Sequence, residues 1–240
     1  MTDAHAASRG VGVVVVAAGS GSRLGADVPK AFVRLAGRPL VAHALEAVAG
    51  TGGVASVVVV VPVELLDPSG PHWSGVSLPP SATVVAGGAD RTASVAAGLA
   101  ALGPGCDVVL VHDAARCLTP VAVFERVVAA VRAGADGVVP GVAVVDTVKV
   151  VDTDGFVTAT PERESLRAVQ TPQGFRPEVL RAAHAGGVVA TDDAGLVEAL
   201  GHRVLVVEGD PLALKVTTPA DLALAERLLA GGPTPSGGHL

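Results

Sequence analysis

The chain has 240 residues, half of them hydrophobic, 17% charged and 2% aromatic with no Tyr, and its formal net charge is −6. This is not the composition of a disordered or coiled-coil chain, and the length is ample for a sizeable core. An acidic balance with so few aromatics excludes general polyanion binders and base-stacking readers of nucleic acid, so any phosphate ligand must be held by a local site.

In chain order, the first segment, MTDAHAASRG, has no apolar stretch ahead of Arg9; it is expected to be a flexible N-terminus over 1–10, not a secretory signal. The run Val11–Ala17 reads as a strand, Leu40–Ala49 as a helix, and Ser56–Val61 and Ala82–Val85 as strands. Thr92–Leu102 reads as a helix, Val108–Val111 as a strand, Val121–Ala133 as a helix and Gly137–Val139 as a strand. Pro177–Ala185 and Asp193–Leu200 read as helices, Val204–Val207 as a strand and Pro219–Leu229 as a final helix. Continuous β-branched runs suit strands buried on both faces, and their alternation with helices predicts an α/β fold: a doubly wound, mostly parallel, Rossmann-like sheet. Pro120 and Pro219 fit first-turn positions, each after a Thr that can serve as N-cap. One segment breaks the rhythm. Val142–Val151 and Phe156–Thr160 flank the hairpin-turn dipeptide Asp154-Gly155, and 142–173 has little from which to build a core. A protruding β-arm that needs a partner surface is expected there, and with it a homodimer. The expectation is one domain over 11–230 and a flexible tail over 231–240. With no apolar stretch of 18 residues free of charge, Gly or Pro, the protein is expected to be cytoplasmic, away from membranes.

The first strand runs into Ala17-Ala18-Gly19-Ser20-Gly21-Ser22-Arg23-Leu24-Gly25, then Val28-Pro29-Lys30. A Gly-rich loop after a first strand brings backbone N–H groups close to an anion. It is neither a dinucleotide fingerprint, since Leu24 stands where Gly is needed, nor a Walker A loop, since no Gly-Lys-Ser/Thr follows. It brings its own cations instead. From 23 to 38, Arg23, Lys30, Arg34 and Arg38 stand against Asp27 alone, a balance of +3 in an acidic chain. Lysine is scarce: of 17 Lys and Arg, only Lys30, Lys149 and Lys215 are Lys. A compact ammonium at Lys30, after the loop, suits a phosphate ligand, and Lys215, between apolar neighbours, is either buried with such a ligand or a snorkelling edge residue. Cys106 and Cys117 form no disulfide framework, and the seven His show no metal-ligand spacing.

These residues resemble sugar-phosphate nucleotidylyltransferases. The ordered blocks Gly87-Gly88-Ala89-Asp90-Arg91-Thr92-Ala93-Ser94, His112-Asp113-Ala114-Ala115-Arg116, Asp146-Thr147-Val148-Lys149, Thr171-Pro172-Gln173, Thr191-Asp192-Asp193 and Leu214-Lys215-Val216-Thr217 are similar to the 2-C-methyl-D-erythritol 4-phosphate cytidylyltransferase family in particular. The resemblance implies transfer of CMP from CTP, with Mg²⁺ on its phosphates, by in-line attack of the sugar phosphate on the α-phosphorus. It implies catalytic roles for Arg23, Lys30 and Lys215, and a nucleotide site of Ala17, Ala18, Gly19, Gly21, Gly88 and Ser94. It places Asp113, Arg116, Thr147, Arg163, Thr171 and Thr191 around the acceptor. Thr147 and Arg163 would serve the neighbouring subunit's site. No side chain is assigned as a direct metal ligand, although Asp113 could approach the metal. Cys117 departs from the family's usual Pro, and Ala213-Leu214 from its usual Asn and Ile. The fused cyclodiphosphate synthase of some relatives is not expected. Other readings stay open: Asp113 as a helix N-cap, Ser94 as a solvent-facing helical residue, Thr147 as an ordinary strand residue, Arg167 in place of Arg163, and Asp192-Asp193 as an acidic helix start. So do two other functions, a ribitol 5-phosphate cytidylyltransferase and a non-catalytic CTP-binding module.

Overall fold

The computed structural model describes residues 10–19, 21, 24, 28–186 and 190–231. β1 (Gly10–Val16) is followed by a short antiparallel pair, β2 (Arg34–Leu35) and β3 (Arg38–Pro39), and then by α1 (Leu40–Gly50) and β4 (Val54–Val61). Next come β5 (Ala82–Ala86), α2 (Arg91–Ala101), β6 (Cys106–Asp113), α3 (Val121–Arg132) and β7 (Gly137–Ala143). A hairpin, β8 (Val150–Val151) with β9 (Val157–Ala159), precedes β10 (Arg167–Val169) and β11 (Gln173–Phe175). The chain closes with α4 (Pro177–Ala185), α5 (Asp193–Ala199), β12 (Val204–Glu208) and α6 (Pro219–Leu229).

The main sheet runs β5-β4-β1-β6-β11-β7, and β10 and β12 also pair with β7. β4, β1, β6 and β5 are mutually parallel, and β12 is parallel to β7. The valine runs are continuous because the sheet is covered on both faces. Val11, Val13 and Val15 of β1 face a core shared with Leu45 of α1 and Phe124 of α3. Val14 faces the opposite core, with Val95 and Leu99 of α2 and Leu180 of α4.

α2 lies so close to β1 that a Cβ on Gly98 would stand 2.5 Å from Val14 Cγ1. Gly98→Ala is therefore expected to destabilise the fold by a net of about 1–2 kcal/mol, because overpacking outweighs the gain in helix propensity. Thermal unfolding of the variant checks this; an unchanged or raised Tm would mean the helix can move away without cost.

Three expectations need correction. The arm expected over 142–173 does not protrude to its end, since β10 and β11 rejoin the main sheet, antiparallel beside β7, with β11 between β7 and β6. With three residues each, and Gly174 in the middle of β11, they carry no β-branched run to announce them. The expected strand Val142–Val151 is also not one strand. β7 reaches Ala143, and only Val150–Val151 pairs again, in the hairpin. There Asp152 Oδ1 accepts from the N–H groups of Asp154 and Phe156, and Gly155 takes φ 88°. Finally, Thr218 caps α6 in a full capping box with Asp221, and Pro219 opens the helix, but Thr119 does not cap α3. Its hydroxyl donates to the Arg116 carbonyl at 2.8 Å, and Pro120 itself is the cap residue. The arm stands largely exposed, with Val145, Phe156 and Val157 at 77%, 72% and 57% of full exposure. Among the described residues, no helix is long and apolar enough to cross a membrane.

Candidate active site

From β1 the chain crosses to β4 and β5 on one side, and β6 returns to pair with β1 on the other. At such a switch point the carboxyl ends of the strands part, and the crevice between them receives ligands. A cavity of about 330 Å³ opens there. Its lining includes Val16 at the end of β1 and Ala17 to Gly19 after it, Lys30, Gly88 to Arg91 with Ser94 at the start of α2, Asp113 at the end of β6, and Lys215.

The described residues after β1 are tied by backbone bonds. Ala17 N–H donates to the Val60 carbonyl and Lys30 N–H to the Gly19 carbonyl. Gly21 takes φ 70°, and a Cβ there would meet Lys30 Cβ at 2.6 Å, so the glycine is needed for both its conformation and its closeness to the lysine. Lys30 opens a short 3₁₀ turn whose next residues, Ala31 and Phe32, are buried. The opposite wall is equally tight. Ser94 is buried, its hydroxyl accepts from Gly88 N–H at 3.1 Å and donates to the Asp90 carbonyl at 2.8 Å. Asp90 caps α2 through Ala93 N–H. A Cβ on Gly88 would collide with Ala93, so only glycine lets that loop lie against the helix start.

Asp113 holds the middle of the cleft. It ends β6 and starts no helix. Lys215 Nζ donates to its Oδ2 at 2.6 Å, and Arg91 faces its Oδ1 at 3.3 Å. Burial alone would raise the pKa of this carboxyl, but Arg91 and Lys215 outweigh burial and hold it well below the usual carboxylate range. The Asp113 N–H donates to Thr171 Oγ1, which also bonds the buried His112 Nδ1. Burial pushes His112 down to about 4, so at neutral pH the ring is uncharged.

The structure thus brings Ala17, Ala18, Gly19, Lys30, Gly88, Ser94, Asp113 and Lys215 to one cavity. Gly21 shapes it from behind. Arg23 lies outside the described residues. Arg116 donates to the carbonyls of Ala213 and Val169, tying the Lys215 loop to β10. Thr171 is buried beneath Asp113. Thr191 is exposed just ahead of α5, and Thr147 and Arg163 lie on the arm, where Arg163 Nη1 donates to the Val145 carbonyl.

In the sequence Arg91 carries no role of its own within Gly87–Ser94, and Asp193 reads as a helix start only. Asp192 is the residue that caps α5, while the fully buried Asp193 pairs with Arg91 and His184. No local pattern marks this role, since an acid in the first turn of a helix is ordinary and Arg91 comes from an element distant in sequence. Neither thiol is suited to nucleophilic work. Burial pushes Cys117 up to about 12 and raises Cys106 as well.

Residues 11–231 match the 2-C-methyl-D-erythritol 4-phosphate cytidylyltransferase family. A protein of that description from Nocardia farcinica is 56% identical over 219 residues, which is 90% of this chain and 92% of the relative. One from Rhodococcus jostii is 52% identical over 91% of this chain and 95% of its own length. The crystal structure of the Thermus thermophilus cytidylyltransferase of the same name superposes with a TM-score of 0.74 at 37% identity, covering 92% of this chain and 99% of the other. The 4-diphosphocytidyl-2C-methyl-D-erythritol synthase of Anaerococcus prevotii superposes with a TM-score of 0.81 at 27% identity, covering 93% and 99%.

Proposed function

The chain belongs to the 2-C-methyl-D-erythritol 4-phosphate cytidylyltransferase family, and from that premise we propose that the cleft at the switch point carries out the whole transfer as one in-line displacement. The enzyme moves CMP from CTP to 2-C-methyl-D-erythritol 4-phosphate, a step of isoprenoid precursor synthesis. A phosphate oxygen of the acceptor forms a bond to the α-phosphorus. The bond from that phosphorus to the β-phosphate bridging oxygen breaks, and pyrophosphate leaves with the electron pair. No covalent enzyme intermediate is required. The protein's task is to bring two anions together and to neutralise charge on a crowded phosphorus.

The observation that carries this reading is the convergence of Ala17 to Gly19, Lys30, Lys215 and Asp113 on one cavity. Arg23 and Lys30 take the triphosphate. Ala17, Ala18, Gly19 and Gly88 offer backbone groups to the nucleotide, and Ser94 sets the shape of the base pocket by holding Gly88. Lys215, steered by Asp113, stands between the α-phosphate and the acceptor phosphate. Arg116, Thr171 and Thr191 form the acceptor side, completed by Thr147 and Arg163 from the arm of a second copy. The exposed apolar side chains of the arm support that homodimer. The donor chemistry fits Mg²⁺ held chiefly through substrate phosphates. Asp113 is the candidate oxygen donor, and no group of three or more His, Cys, Asp or Glu gathers a site among the described residues. The ion would supply neutralisation of phosphate charge. We place the enzyme in the cytoplasm.

Pyrophosphate release with Mg²⁺ and CTP, comparing methylerythritol 4-phosphate with ribitol 5-phosphate and CTP with UTP and ATP, tests the reading. Turnover with CTP and methylerythritol phosphate alone is expected. Turnover only with ribitol phosphate would overturn the acceptor while keeping the cleft, and no release with either would overturn the transfer itself.

A further inference from the structure

Arg91 touches two carboxylates that come from different elements. Its Nε and Nη2 face Asp113 Oδ1 at 3.3 and 3.4 Å, and its Nη1 pairs with Asp193 Oδ2 at 2.8 Å. Asp193 has no exposed surface, and its Oδ1 accepts from His184 Nε2 at 2.9 Å. On the far side of Asp113, Lys215 Nζ takes Oδ2. Acidic and basic groups therefore alternate from α4 to the loop before α6: His184, Asp193, Arg91, Asp113, Lys215.

We propose that Arg91, anchored by Asp193, is a positioning residue that fixes the Asp113 carboxylate so that its second oxygen presents Lys215 to the phosphate side of the cleft. The inference rests on the transfer reading and goes beyond it, by assigning work to two residues that bind no substrate in that reading. Three features carry it. A carboxylate with one cation partner follows that partner as its χ2 turns, whereas cations on both oxygens lock the plane. Arginine suits this post because the edges of its planar fork can serve two acceptors at once, which the single ammonium of lysine does less well. And a fully buried carboxylate is tolerated only when it is paired, so Asp193, whose neighbour Asp192 already caps α5 by accepting from Gly195 N–H, depends on Arg91 and His184 as its partners.

The test uses the full chain as Arg91→Gln, Asp193→Asn and the double variant, assayed with CTP and methylerythritol phosphate and followed by thermal unfolding. Each single variant is expected to lower kcat roughly 10- to 100-fold through misplacement of Lys215, with the KM for CTP changed less than about threefold. The double variant is expected to fall no lower than the worse single, because the two act as a unit. It should also recover Tm, since no buried charge is left without its partner. A crystal structure of the double variant should show the Asp113 carboxylate turned from its present plane. The proposal is overturned if the double variant returns to full kcat, if Arg91→Gln raises only the KM for CTP, or if Asp113 keeps its plane. Should the unaltered enzyme fail to turn over, the transfer reading falls, and the Asp113 plane in the double variant still decides this inference.

Discussion

Lys30→Ala is expected to lower kcat by about 10²–10³ while the KM for CTP changes far less. As pyrophosphate departs, negative charge grows on the oxygens of the α- and β-phosphates. A cation already in place stabilises that charge more than it stabilises bound CTP, and so it acts on the barrier. Lys30 is built to be in place. Its backbone is anchored by the Gly19 carbonyl, its Cα and Cβ pack against Gly21, and the two residues after it are buried. Lys30→Arg should not restore the rate, because a planar fork on a longer reach does not put its charge where the ammonium stood. Steady-state kcat and KM for the Ala and Arg variants check both statements. A rise in KM with kcat intact would limit Lys30 to ground-state binding of the nucleotide.

The parallel half of the sheet could be read from the sequence because burial on both faces imposes unbroken valine runs, as in β1 and β4. Although the same Thr-Pro pair at Thr119 and Pro120 gives no side-chain cap, because Thr119 donates to the Arg116 carbonyl, the start of α6 was legible at Thr218 and Pro219. β11 was not, since its place between β6 and β7 comes from tertiary pairing and not from any pattern in Gln173-Gly174-Phe175. The site divides in the same way. The Gly loop and Lys30 are neighbours in sequence and declare themselves together. Arg91 and Asp113 are 22 positions apart, and Lys215 and Asp113 are 102, so their joint geometry is visible only once the chain has folded. Lysine scarcity pointed to Lys30 and Lys215, which do line the cavity, but it pointed equally to Lys149. That ammonium donates to Thr160 Oγ1 on the arm, a local tie within the hairpin region. Scarcity therefore selects candidates, and position at the switch point decides among them.

Two inactive variants, Lys30→Ala and Arg163→Ala, are expected to regain activity when mixed. If each site takes Lys30 from one subunit and Arg163 from the arm of the other, a mixed dimer holds one site with both defects and one with neither. Random assortment makes half the dimers mixed, so total activity should return to about a quarter of the unaltered enzyme's. The arm has the features such sharing needs. Its hairpin has no core of its own, and its apolar residues are exposed. Its root is tied to the cleft residue by residue. The Val169 carbonyl accepts from Arg116, the Gln170 side chain bonds both the N–H and the carbonyl of Asp210, and Thr171 accepts from Asp113 N–H. An arm seated on a partner would thus bear on the loop that carries Lys215 as well as reach into the neighbouring site. Pyrophosphate release before and after mixing, with subunit exchange proven by co-purification through a tag on one variant only, makes the measurement. Exchange without recovery would confine each site to its own chain and leave the arm a dimer contact alone.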